Sequence, residues 1–459
     1  MTNRNILAVA LTLVILAGIA LPALAQLTAD QEKALRALAR DEEMSWPGIS
    51  DEQATALYNK EEEFLRLYRK YHLPHGLNAD IWWDDYSRNE IVRLEGIGDS
   101  ACWAGHYMAA LAIRYSITKE PELIEEIGKT LDKIDLLTTV TGREGYIARY
   151  VGPEDHEGYR AYYSQYGRGE DPERPGLGHW AYRGVAPHED LIWLGYSSRD
   201  TYLGVNFGLA TAWVYAPAPE IRAKVKTIAE RVGDRLIEDK WYIIDGKGHT
   251  TRPTGSFRAQ WLATMLATSP EKYAPLQKEY DLMARGLSKK HSVYPKTYGE
   301  YFANNLGTIA LFAVCILEKD PERKAALNDT FRARYEKMKD HLNAQFCGLY
   351  LLATGDKNEA AMATLQGMLV DYPAPPKWVR KVDYRDRDDI EKENDKYAKY
   401  AFLAHEMVPG DFIWQRQPGK LYTWDRDVPI ELPGLDVILP YWAGRAAGAI
   451  PPPETKDAQ

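Results

Sequence analysis

Five short connectors of one kind punctuate the chain and fix its architecture more than any other feature. They are "TKEPE" at 118–122, "PAPE" at 217–220, "TSPE" at 268–271, "KDPE" at 319–322 and "TGDKNE" at 354–359. Proline fits the first helical turn, where its missing N–H is no loss, and an acid beside it meets the positive end of the helix dipole. Each connector therefore ends one helix and starts the next. Their glutamates are spaced 98, 51, 51 and 37 residues apart, and about 50 residues is one helical hairpin with its loops. The 98-residue gap holds a Gly-, Tyr- and Pro-rich insertion at about 141–198. Loops of that length are uncommon in compact domains and are usually functional.

Helices are expected at about 52–72, 98–117, 121–138, 199–215, 219–238, 256–268, 271–289, 301–317, 321–340, 343–353, 357–370 and 435–447, with a further one near 395–408. Those before a connector, such as "ACWAGHYMAALAIRY" and "TYLGVNFGLATAWVY", are apolar and rich in small residues nearly all round, as befits helices covered on two sides. Those after a connector, such as "ELIEEIGKTLDKIDLL", are charged on one face and belong outside. Six inner and six outer helices, the last inner one closing against the first outer one, make an all-α (α/α)6 toroid.

The first 25 residues are set apart from this pattern. One basic residue, Arg4, precedes an apolar run that ends in Ala23-Leu24-Ala25, the layout of a cleaved secretory signal peptide. The run from Ile6 to Ala20 falls short of the ~20 residues of a spanning helix. The expectation is a secreted or periplasmic chain with no membrane anchor after cleavage, in which 26–459 form one toroid domain. A formal net charge of -9 with the charges mixed along the chain offers no basic footprint for nucleic acid. Three scattered cysteines suit buried thiols better than a disulfide framework or a zinc site, and no other motif calls for a metal or a cofactor. The acid-rich run at 383–396 lacks the ligand spacing of a calcium loop and reads as solvated surface.

Because every tight connector lies on one rim, the N-terminal ends of the inner helices and the long loops gather on the other. There the unusual residues lie, in "EGIGDSACWAGHY", "YSSRDTY", "TGSFRAQW", "YGEYFANN" and "ELPGLDVILPYW". Asp is a good helix cap, so Asp99, Asp200 and Asp436 have a plain structural reading. Five decorated helix starts argue for more. Asp99, Trp103 and His106 share a helical face beside Gly105; Arg199, Tyr202 and Asn206 share another, with Asp200 above Gly204. Such polar stripes are costly in a small-residue helix unless paired or wet, and a wet central funnel would satisfy them. The chain has 13 Trp and 30 Tyr against only 9 Phe, a bias toward rings with polar tips that suits a sugar groove. Trp82, Trp83, Trp180, Trp193, Trp414 and Trp424 fall in the loops of this rim or near the C-terminal loops.

The stretches "GDSACWAGHYMAALAIRYSIT" (98–118), "SRDTYLGVNFGLA" (198–210) and "PGLDVILPYWAGR" (433–445) resemble the six-hairpin glycosidase superfamily, in particular its secreted bacterial members without assigned roles. The resemblance implies the toroid and carbohydrate chemistry, mostly hydrolysis. A glycoside hydrolase needs two carboxyl groups astride the glycosidic bond, one protonated and one ionised, and Asp99 with Asp200 is the expected pair. Arg199, Tyr202, His106, Trp103 and Asn206 are expected to contact substrate. Glu95, Glu300 and Asp436 stand as reserve acids, and His188 in the long insertion as a further contact. Two alternatives remain. One is a polysaccharide lyase in which Tyr202 or His106 abstracts a proton beside a uronate held by Arg199 and Asn206. The other is a non-catalytic glycan-binding toroid.

Overall fold

The computed structural model describes residues 26–153, 180–289, 292–423 and 427–454. The expected signal peptide, much of the long insertion and Trp424 lie outside the described residues.

The connectors act as their composition demands. Pro121, Pro219 and Pro321 open helices α4 (Pro121–Thr139), α6 (Pro219–Glu238) and α10 (Pro321–Glu336), each with a glutamate next in line. Before them end α3 (Ser100–Thr118), α5 (Arg199–Tyr215) and α9 (Phe302–Leu317). In "TGDKNE", Gly355 at φ 72° closes α11 (Ala344–Thr354), and the Asn358 side chain caps α12 (Glu359–Asp371) by accepting from the Ala361 N–H. The remaining helices are α1 (Ala29–Ala39), α2 (Asp51–Tyr71), α7 (Gly255–Thr268), α8 (Gln277–Leu287) and α13 (Leu435–Ala446).

Helices α3, α5, α7, α9, α11 and α13 pack each against the next, and α13 returns to α3, so the inner ring is closed. Helices α2, α4, α6, α8, α10 and α12 lie outside, and α2 packs on α13. The inner helices are covered as their sequence requires: every residue from Ser100 to Arg114 and from Thr201 to Ala212 is buried. One hydrophobic cluster runs from Leu35 to Ile450 through both layers.

The tightest seam is α3 against α5. A Cβ on Gly105 would stand 1.9 Å from the Gly204 carbonyl oxygen, and one on Gly208 would stand 2.6 Å from the Gly105 carbonyl oxygen. These glycines let two backbones touch, which is why both helices are small-residue-rich. Gly105 therefore makes room for a helix and not for a ligand.

Four sequence expectations change. Helix α1 precedes the toroid proper and packs on α12. The helix expected at 271–289 breaks at Pro275, where a proline cannot donate to the helix, leaving a turn at Pro270–Tyr273 and then α8. The segment at 395–408 is not a helix. Its backbone groups are committed elsewhere: Ala398 N–H donates to the Gly419 carbonyl and Phe402 N–H to the Pro418 carbonyl. Short strands also brace the decorated rim. Strands β1 (Asp80–Trp83) and β2 (Ile91–Glu95) form a hairpin, and β3 (Val151–Pro153), β4 (Ala181–Arg183) and β5 (Leu191–Leu194) form an antiparallel sheet in the order β3-β5-β4. A two-residue pair β6 (Ile243–Ile244) and β7 (Thr250–Thr251) follows. Strands β8 (Lys377–Trp378) and β9 (Ile430–Leu432) then extend the first hairpin to a four-stranded sheet in the order β2-β1-β9-β8.

Candidate active site

The rim carries a cavity of about 420 Å3 lined by Asp80, Gly96, Gly98, Asp99, Arg149, Asp411, Arg416, Lys420 and Thr423, with Val379, Val408, Pro409, Gly410 and Leu432. This is the scale of a small-molecule pocket. Six separate stretches of chain build it: β1, the β2–α3 turn, the start of the long insertion, the residue after β8, the 407–423 loop and β9.

Asp99 sits at the N-terminus of α3 yet caps nothing; its side chain makes no hydrogen bond to the first turn. That turn is served instead by Arg149, whose carbonyl oxygen accepts the Ala101 N–H at 3.1 Å. The Asp99 side chain keeps 43% of its surface open, and its carboxylate meets the Arg149 guanidinium at 3.4 Å. Burial pushes its pKa up to about 6; Arg149 opposes that, and Asp411, Asp200 and other charges act less strongly. A carboxyl poised there can exchange a proton near neutrality.

Asp80 opens β1 directly across from Glu95. It is buried, and its Oδ1 has no hydrogen-bond partner. Burial, then the charges of Asp411 and Glu95, hold its carboxyl well above the usual range. Gly96, at φ 66°, is required on both counts available to a glycine: the left-handed backbone, and a Cβ that would lie 2.7 Å from Asp80 Oδ2. Asp411, mostly buried, is ion-paired with Arg416. The same guanidinium also feels Asp99 and Asp80, and Asp411 is the strongest of the three charges that raise its pKa.

The 407–423 loop is fastened from below. Asp436, on the first turn of α13, is fully buried and takes Lys377 Nζ at 2.7 Å and the Tyr372 hydroxyl at 2.9 Å. Its Oδ1 accepts the Ile413 N–H. Lys377 Nζ also donates to the Gly410 carbonyl at 2.7 Å, and the Trp414 indole to the Asp436 carbonyl at 2.8 Å. Asp436 thus holds the loop that carries Asp411 and lies beneath the pocket, not at its wall as expected.

Several other expected contacts are structural. Tyr202 is buried, and its hydroxyl accepts the Ile147 N–H at 2.9 Å, pinning the segment that presents Arg149. His106 is buried between Phe207, Phe412 and Trp103, with Nδ1 at 3.0 Å from the Cys102 carbonyl; burial lowers its pKa to about 4. Asn206 is buried and accepts from Thr264 at 3.0 Å. These residues are buried in the helix interior and none of them lines the cavity, so the proton-abstracting set of the lyase alternative is not at the cavity. Glu95 pairs with Arg93 at 2.6 Å beside Asp80, and His188 sits in the β4–β5 turn.

Asp200 does not line the cavity. Ser198 caps α5, leaving the Asp200 carboxyl out of the cap; burial raises its pKa against Arg149 and Arg199, with Glu300 adding to the rise. Asp200, Arg199 and Glu300 therefore form a charged flank near Asp99, with Arg199 and Glu300 exposed. The tryptophans are largely anchors: Trp83 donates to Glu431 at 2.9 Å and Trp193 to the Arg183 carbonyl at 3.1 Å, while Trp82 lies under the Arg93 guanidinium. Among the described residues no aromatic ring lines the cavity.

Sequence reasoning missed Asp80, Arg149, Asp411 and Arg416. Asp411 follows Pro409-Gly410, a pair that marks a loop but not a site. The three cysteines are free and buried. Among the described residues no three His, Cys, Asp or Glu side chains converge as a metal ligand set, and no helix is long and apolar enough to cross a membrane.

No family model matches the chain, and no curated protein matches it. Among solved structures it is similar to a GH76 alpha-mannanase of Bacteroides thetaiotaomicron, solved as a selenomethionine derivative. The two share 10% identity over 85% of this chain and 95% of that one, with a TM-score of 0.27. At that score the likeness carries no detail, and the toroid rests on the closed ring of helix pairings.

Proposed function

We propose that the protein is a glycoside hydrolase acting on a poly- or oligosaccharide at the Asp80–Asp99–Asp411 pocket. The observation that carries this reading is Asp99: an acid at an inner-helix terminus, released from capping, open to a pocket and raised to about 6. In this reading Asp99 protonates the leaving glycosidic oxygen. Asp411, held by Arg416, is the partner carboxylate that activates water or attacks the anomeric carbon. It acts on the Asp99 charge more strongly than Asp200 does, which is why the pair is drawn here and not as Asp99 with Asp200. Asp80, whose carboxyl burial holds well above the usual range, is placed to hydrogen-bond a sugar hydroxyl. Asp200 tunes Asp99 from the flank. Secretion, expected from the first 25 residues, would place the enzyme where such glycans occur.

The test is a panel of bacterial and plant polysaccharides assayed in parallel for new reducing ends and for the ultraviolet absorbance of an unsaturated uronate. Reducing ends without the absorbance are expected. Asp99→Asn and Asp411→Asn should each lower kcat by roughly 10²–10⁴, whereas Asp200→Asn should cost less than about tenfold. Reducing ends accompanied by the absorbance would replace hydrolysis with elimination. A dead Asp200→Asn beside an active Asp411→Asn would restore Asp200 as the partner carboxylate.

A further inference from the structure

One exposed ring stands beside this pocket in a backbone conformation that tyrosine rarely adopts. Tyr196, in the turn between β5 and α5, has φ 54° and is 40% exposed. Trp180, stacked on it with centroids 4.7 Å apart and planes 28° apart, has φ 70°. A non-glycine residue in the left-handed region is held there by its surroundings, and a neighbouring pair of them is a reason to look for function.

The surroundings are specific. His249 packs edge-on against Tyr196, with centroids 4.7 Å apart, and stands 6.1 Å from Trp180. Asp245, buried below, takes His249 Nδ1 at 2.7 Å and the backbone N–H groups of Lys247 and His249 at 2.7 and 3.0 Å. Separations of 4.7, 4.7 and 6.1 Å make Trp180 and His249 subtend roughly a right angle at the Tyr196 ring. On opposite faces they would stand far further apart. With Trp180 on one face and His249 toward the edge, the other face is the part left to solvent.

The platform is tied to the chemistry by one side chain. Arg149 Nε donates to the Tyr196 carbonyl at 2.8 Å, while its Nη1 donates to the Gly98 carbonyl at 2.8 Å and meets Asp99 at 3.4 Å. A single guanidinium thus joins the backbone that carries the ring to the proposed acid. Among the described residues the cavity is lined by charged, polar and aliphatic side chains and no aromatic ring, so a sugar chain leaving it would find a flat aromatic face at Tyr196.

Resting on the hydrolase reading for its ligand class, we propose that the free face of Tyr196 is a stacking subsite for a pyranose ring adjacent to the sugar at Asp99. Trp180 and His249 fix the ring, and the face, not the hydroxyl, does the binding. Tyr196 is accordingly a positioning residue.

The experiment measures turnover, and calorimetric binding to the Asp99→Asn protein, with mannan-, xylan-, β-glucan- and polygalacturonate-derived oligosaccharides from disaccharide to hexasaccharide. Tyr196→Phe should bind as the parent does. Tyr196→Ala should weaken binding and raise KM roughly tenfold for the longer oligomers, with kcat little changed. Tyr196→Asn, whose side chain tolerates left-handed backbone, should do the same if the alanine variant folds poorly. Unchanged binding in both variants, an equal loss for every oligomer length, or a parent protein that binds none of these glycans would overturn the subsite. Binding that depends on Tyr196 with no hydrolysis by any form would leave the subsite standing and sink the hydrolase reading.

Discussion

At the scale of single residues, the site is a set of carboxyl groups pushed in different directions by what surrounds them. Arg149 is the stronger of two cations, with Arg416, that oppose burial at Asp99, so removing it should let the Asp99 pKa rise further. For an acid that must be protonated, kcat/KM falls as pH rises through its pKa. The parent should therefore lose activity above about pH 6, and Arg149→Gln, if it folds, should move that limb to higher pH while lowering the maximum. A rate profile from pH 4 to 9 checks both, and an unmoved limb would take the proton-donor role away from Asp99. Asp99 was legible in the sequence because a helix start brings an acid to a predictable rim. Asp80, Arg149, Asp411 and Arg416 were not, because no local pattern says that β1, the insertion and the 407–423 loop meet. His106, Tyr202 and Asn206 misled for the opposite reason: helical spacing put them on two polar stripes, one on each of two neighbouring helices, and only the packed neighbours show these residues to be buried away from the cavity.

At the scale of elements, what needs explaining is how a loop with no helix beyond a single 3-10 turn, 407–423, holds Asp411 and Arg416 still. The answer is the buried pair Lys377 and Asp436, which joins β8, α13 and the loop through the Gly410 carbonyl and the Ile413 N–H. Breaking such a pair from one side strands a buried charge, which costs about 3–5 kcal/mol. Lys377→Met should show a loss of that order in denaturant unfolding. Lys377→Met combined with Asp436→Asn should recover much of the stability but not kcat, because the loop stays untethered. Full recovery of both would make the pair purely structural. The helices were readable from proline, acid and glycine signals that act within a few residues. The sheet β2-β1-β9-β8 was not, since Ile81 finds its partner at Glu431 and nothing near either residue announces the other.

At the scale of the whole molecule, a ring of helices is only as stable as the seam that closes it, where α13 meets α3 under α2. Glu61 of α2 is fully buried there. Its Oε1 accepts the Trp442 indole N–H at 2.8 Å, while Oε2 has no hydrogen bond and stands 3.9 Å from Arg114. Arg114 is also engaged by Glu62 and Glu120, and its guanidinium lies 4.8 Å over the Trp442 ring. The Tyr58 phenol and the Arg445 guanidinium complete the polar surroundings. Burial, then the Glu62 charge, pushes Glu61 up to about 8 against the pull of Arg114. A group whose folded pKa lies above its unfolded value stabilises fully below the unfolded pKa and loses that contribution as pH rises through the folded one. The seam should therefore weaken between about pH 4.5 and 8, a window that crosses neutrality, by up to a few kcal/mol. Glu61→Gln keeps the indole acceptor and removes the titration. Its unfolding midpoint should vary less with pH across that window than the parent's, and should exceed it most near pH 8. Parallel pH profiles for the two proteins would show that Glu61 is ionised at little cost, with Arg114 carrying the seam as an ordinary ion pair.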